Sequence, residues 1–92
     1  MIERIQYSTS NGTTTATTST QVVAANLGRR HLIFQNQSDT EMFVKFGADA
    51  SDAADSLKIP AGGNLFLDAV VDTRVLNVYC TASSKVWVCW EG

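Results

Sequence analysis

The sequence predicts an all-β fold: a small antiparallel β-sandwich with jelly-roll-like connections, carrying an extended N-terminal arm. Three observations predict it. Apolar and polar residues alternate over runs of about five, as in Leu32-Ile33-Phe34-Gln35 and Met42-Phe43-Val44-Lys45-Phe46. Clusters rich in Asn, Asp, Ser, Pro and Gly interrupt those runs at short intervals. No stretch keeps an apolar period near 3.6 residues long enough for an α-helix.

Residues 1–17 read as an arm and residues 18–92 as the sandwich. The arm carries Ile2, Ile5 and Tyr7 as its apolar anchors. Ser8 to Thr20 then holds seven Thr and three Ser among thirteen residues. Such a tract has little to bury, so by itself it does not repay its ordering entropy. Threonine favours extended backbone, which suits strand addition to a neighbouring surface. Alternation resumes over Thr18–Ala25, the first expected core strand, with Val22 and Ala24 on one side and Val23 and Ala25 on the other. Asn26-Leu27-Gly28 follows as a turn.

Arg29–Gly47 then reads as a β-hairpin, with Leu32 and Phe34 on one arm and Met42, Val44 and Phe46 on the other. Asn36-Gln37-Ser38-Asp39-Thr40 forms its turn, because short polar side chains bond back to their own backbone. Ala48–Ser56 is small and polar, a single helical turn or an open loop. Leu57–Ile59 is a short strand halted by Pro60, and Pro60-Ala61-Gly62-Gly63 is a turn. Asn64–Asp68 is a strand with Leu65 and Leu67 facing opposite to Phe66. Arg74–Thr81 and Lys85–Glu91 read as a second hairpin around Ala82-Ser83-Ser84. A two-residue loop there would place Leu76, Val78, Cys80, Trp87 and Cys89 on one face. A three-residue loop would instead group Leu76, Val78, Cys80, Val86, Val88 and Trp90. Either register leaves an aromatic residue and a valine on the second face. A face of that kind calls for a cover, and a second subunit is the expected one, with Tyr79, Trp87 and Trp90 as interface residues. The arm or the 48–56 loop is the alternative cover.

Composition narrows the function. Ninety-two residues make one domain. The net charge of −2, with 17% charged residues, speaks against a phosphate-backbone binder, so no nucleic acid is expected. No apolar run approaches the roughly 20 residues of a membrane helix. Met1-Ile2-Glu3-Arg4 lacks the basic start and apolar segment of a secretory signal, so synthesis and folding in a cytoplasm are expected. Cys80 and Cys89 match no CxxC pattern and read as small core residues, a cross-strand disulfide being the alternative.

Nothing in the sequence assembles catalytic chemistry, and no cofactor or metal is expected. His31 stands beside Arg29 and Arg30 without a partner carboxylate or second ligand in sequence, and reads as a surface histidine at a strand start. Asp49, Asp52 and Asp55 are spaced by three, where a calcium loop spaces its ligands by two and adds a distal Glu; a solvated acidic loop is the reading. Arg29, Arg30 and Lys45 form a candidate positive docking patch, with Asp39, Glu41 and the 49–55 acids as its complement on a neighbouring copy. Asn11-Gly12-Thr13 and Asn36-Gln37-Ser38 match the glycosylation pattern by chance. Trp87, Trp90 and Tyr79, if exposed, would suit stacking on a sugar ring, but their alternation with Val86, Val88 and Cys89 suits burial better, so carbohydrate is not an expected partner.

Gly28-Arg29-Arg30, the run Leu32 to Thr40, the run Met42 to Gly47, and Ile59-Pro60-Ala61-Gly62-Gly63 together resemble small β-sandwich structural proteins of tailed bacteriophages. These include head decoration (cement) proteins and small tail or fibre accessories. The resemblance covers residues 20–68 in pattern, and the Thr-rich start fits it. It implies a virion component, often a homo-trimer, that binds other virion proteins. The expectation is a non-enzymatic capsid decoration protein made in the host bacterial cytoplasm. It would bind the major capsid protein on the shell surface through the Ile2, Ile5 and Tyr7 arm. A tail- or fibre-associated accessory, or a carbohydrate- or receptor-binding module, is the alternative.

Overall fold

The computed structural model describes residues 8–68 and 70–92. Among the described residues, eight strands form two four-stranded antiparallel sheets: β1 (Ser8–Thr13), β2 (Thr20–Val23), β3 (Leu32–Asn36), β4 (Met42–Phe46), β5 (Leu57–Ile59), β6 (Asn64–Leu67), β7 (Leu76–Tyr79) and β8 (Val86–Glu91). One sheet runs β1-β8-β3-β6 and the other β2-β7-β4-β5. First therefore pairs with last, second with seventh, third with sixth and fourth with fifth. That is a long hairpin rolled into two layers, the jelly-roll arrangement. The predicted all-β sandwich is the fold.

Both predicted hairpins are corrected. β3 and β4 do not pair, because β3 lies in the first sheet and β4 in the second; the same holds for β7 and β8. Their connections are arches that carry the chain from one layer to the other. Alternation specifies which side chains point inward. It does not specify whether the next strand lies alongside or across the core. The two-residue-loop grouping of Leu76, Val78, Cys80, Trp87 and Cys89 is the set that points inward, but from two opposed sheets.

The core between the layers comprises Val22, Val23, Leu32, Phe34, Met42, Val44, Ile59, Leu76, Val78, Cys80, Trp87 and Cys89. Phe34 and Trp87 stack at its centre, 6.2 Å apart. A bulge between Gln21 and Val23 lets two consecutive valines bury, where strict alternation would expose one. Leu65 and Leu67 pack on the core and Phe66 faces outward, as read from the sequence. Cys80 and Cys89 are free, buried thiols.

Buried polar groups hold the arches. Asn36 is fully enclosed at the end of β3. Its Nδ2 donates to the carbonyls of Thr40, Ile59 and Pro60, and its Oδ1 accepts from the backbone N–H and hydroxyl of Ser38. One carboxamide thus ties the β3–β4 arch to the β5–β6 arch. The polar turn signal was real, but the turn it marks crosses between sheets.

The Thr-rich tract belongs to the sandwich where it is described. Ser8–Thr13 pairs along its length with Val86–Glu91 of the same chain. Gly12 sits over Trp87: a Cβ there would come within 2.8 Å of the indole. Thr14 is buried, donating to Ala82 O and accepting from Lys85 N, while Thr17 N reaches Cys80 O. The expected arm is thus replaced over 8–17 by an edge strand and a stitched turn. Extended threonines found their partner in cis. Ile2, Ile5 and Tyr7 lie outside the described residues.

Candidate functional site

Two surfaces stand out: the outer face of the β1-β8-β3-β6 sheet, and the end of the sandwich formed by the β2–β3 and β6–β7 connections.

On the outer face, strand register sets the rows. Trp90 lies opposite Thr9 on one side and Ile33 on the other, and Ile33 lies opposite Phe66. The neighbouring row runs Asn11, Val88, Gln35, Asn64. Trp90 is 46% exposed and Phe66 57%, and Val86 is also exposed. Ile33, Gln35, Gln37, Asn64, Val88 and Trp90 line a depression of about 340 Å³. Gln37 Nε2 donates to Gln35 Oε1 at 2.9 Å, which orients the two carboxamides against each other.

At the loop end, Arg29 is the organiser. Its side chain has no exposed surface, and its Nε donates to Glu91 Oε2 at 2.7 Å. Nη1 donates to the carbonyls of Asp72 and Arg74, and Nη2 to that of Ala24. Asn26 N donates to Thr73 O, joining the same two connections. Against this fixed backbone Leu27 is 92% exposed and Val70 86%. The Arg29-Arg30 pair, read in sequence as part of a docking patch, gave no sign that one of the two would be a buried clamp, and a leucine in an Asn-Leu-Gly turn reads as incidental. Beside them His31 Nδ1 lies 2.7 Å from Asp68 Oδ1.

The structure separates several residues that the sequence grouped. Trp87 is only 4% exposed and packs inside the sandwich, so it is unavailable to a subunit interface. Its indole Nε1 is buried with no hydrogen-bond partner. Trp90 is on the outer face of the first sheet. Tyr79 is on the outer face of the second, edge-on to Phe43 of its own chain. The three do not share a surface.

The docking patch of Arg29, Arg30 and Lys45 does not form either. Arg29 is spent internally, and Lys45 pairs with Asp55. Asp39 binds Lys85 and Glu41 binds Lys58, again within the chain. The 48–56 loop covers part of the second sheet's outer face: Ala48 O accepts from Asn77 Nδ2, and Ala50 N donates to Ser19 Oγ. Among the described residues no three His, Cys, Asp or Glu side chains gather as a metal-binding set.

Comparison with protein-family models, with curated proteins and with solved structures finds no match.

Proposed function

We propose that this protein is a non-enzymatic structural component of a tailed-phage virion, a cement-like protein that attaches to the assembled shell. The observation that carries the reading is the loop end, where Leu27 and Val70 project almost fully from two connections that buried Arg29 ties together through Ala24, Asp72 and Arg74. Apolar side chains on held loops lose little further freedom when they dock, so more of their burial energy appears as affinity. Their natural sockets are apolar clefts at the junctions between major capsid subunits. A ligand that binds only the assembled shell stabilises it by mass action. Symmetric copies, expected as a trimer from the family resemblance, would make the attachment multivalent.

The test is co-sedimentation with shells of the encoding phage that lack this protein. The double variant Leu27→Asp, Val70→Asp should keep the wild-type melting temperature, since both side chains are solvated. It should bind shells at least tenfold more weakly. Wild-type binding by the double variant would overturn the assignment of this end. Absence of the wild-type chain from purified virions would overturn the virion reading itself. A tail- or fibre-associated position is the second reading, and the depression beside Trp90 favours it.

A further inference from the structure

We infer that the depression on the outer face of the β1-β8-β3-β6 sheet is a binding site for a neutral oligosaccharide, with the Trp90 indole as the platform on which a pyranose ring stacks. Its volume of about 340 Å³ falls within the roughly 300–1,000 Å³ of small-molecule sites. Its chemistry is selective. Trp90, Ile33 and Val88 give an apolar floor, and Gln35, Gln37 and Asn64 give carboxamides at its margin. None of the six carries a formal charge.

A pyranose presents the same combination: a ring face of C–H groups and a rim of hydroxyls that both donate and accept. Carboxamides also do both. The Gln37–Gln35 bond uses one donor of the first and one acceptor position of the second, so each retains further capacity. The side chains stand on paired strands, with Asn64 opposite Gln35 and Gln35 opposite Val88. Their spacing is therefore set by the sheet. Phe66 is two strands from Trp90 in the same row, about 10 Å away at the usual strand separation. It extends the apolar track, so a chain of sugar rings fits better than a single one. This site and the loop end are different surfaces, and neither proposal depends on the other.

The test uses the ¹⁵N-labelled full chain with cellotetraose, maltotetraose and chitotetraose in turn, at millimolar concentration. The two indole N–H signals separate the outcomes, because Trp87 is enclosed and serves as an internal control. At least one tetrasaccharide should move the Trp90 signal saturably and leave Trp87 in place. Trp90→Ala should weaken binding, read from backbone amides of β3 and β8, by tenfold or more. Gln35→Ala and Asn64→Ala should each weaken it severalfold, and Tyr79→Phe should leave it unchanged. No saturable shift with any of the three would overturn the proposal, as would binding indifferent to Trp90→Ala and Gln35→Ala. Concentration-dependent self-association abolished by Trp90→Ala and unaffected by the sugars would also overturn it, making this face a contact between copies.

Discussion

Single side chains reveal how far burial controls chemistry in this fold. Cys89 lies in the core beside the Arg29–Glu91 pair. Burial, aided by the Glu91 carboxylate, pushes its thiol from an ordinary value of 9.0 up to about 12. The folded chain therefore keeps the proton over a pH range in which the unfolded chain releases it. A raised value means stability that is complete below pH 9.0 and is lost as pH climbs from there towards about 12. Denaturant titrations should show a decline approaching about 1.4 kcal/mol per pH unit from this one group, and Cys89→Ala should flatten that slope. At pH 8 an alkylating reagent should modify Cys89 only after unfolding. The burial tendency of free cysteine indicated an inward Cys89, although alternation alone left its face open. Neither could indicate Arg29. Arginine is almost never fully buried unless paired, and its partner lies 62 positions away.

Elements carry the next lesson. β1, read as an arm, and the consecutive burial of Val22 and Val23 escaped the reading, but the all-β character and the Leu65/Leu67 versus Phe66 split were legible, because a period of two survives in any sandwich. Pairing was not. Asn36–Thr40 and Ala82–Ser84 have the composition of hairpin turns, yet each crosses the core. The reason is physical: an arch and a hairpin both need polar side chains that satisfy a tight backbone. What distinguishes the arch is that Asn36 serves carbonyls of a second connection, contributed from more than 20 residues downstream. The loop end obeys the same logic, with Arg29 supplying donors to three carbonyls that no strand satisfies. Arg29→Met would keep the bulk, strip those donors and leave Glu91 without its ion-pair partner. Its cost should be about 3–5 kcal/mol, measured by urea unfolding, with faster amide exchange concentrated at Asn26 and Gly47. A cost below about 1 kcal/mol would mean that the clamp contributes no more than a surface pair.

At the scale of the whole molecule, ion pairs within the described residues take up many of the charges. Asp39, Asp55 and Asp72 are each held below the ordinary 3.8, first by hydrogen bonds from Lys85, Lys45 and Arg74 respectively. Lowered carboxylates contribute stability that is present above 3.8 and disappears as pH falls further through their folded values. Asp39 and Asp55 are largely exposed, and half-buried Asp72 pairs with an exposed Arg74, so their contributions are small and screened by salt. Thermal melts should be flat from pH 7 to pH 5 and fall only below about pH 4, with a shallower fall at 1 M salt. Several of the charges expected to meet across an interface are already used within the chain, Arg29 with Glu91, Lys45 with Asp55, Asp39 with Lys85 and Glu41 with Lys58, so the complementary patches are not present as drawn. The surfaces proposed for recognition are instead apolar ones, the Leu27/Val70 tip and the uncharged Trp90 depression.

Pairing from the ends inward also fixes when this molecule can form. β8 supplies the neighbour of both β1 and β3, so the first sheet has no continuous middle until residues 86–91 have been synthesised. A ribosome-bound nascent chain lacking that ribbon holds β1 and β3 with no strand between them, and its inward leucine and phenylalanine side chains lack the Trp87 layer. Closure then waits on long-range encounters, which fold slowly. Assembly of the native domain is accordingly tied to the emergence of residues 86–91, whereas a fold built from neighbouring hairpins could begin as its first strands emerge.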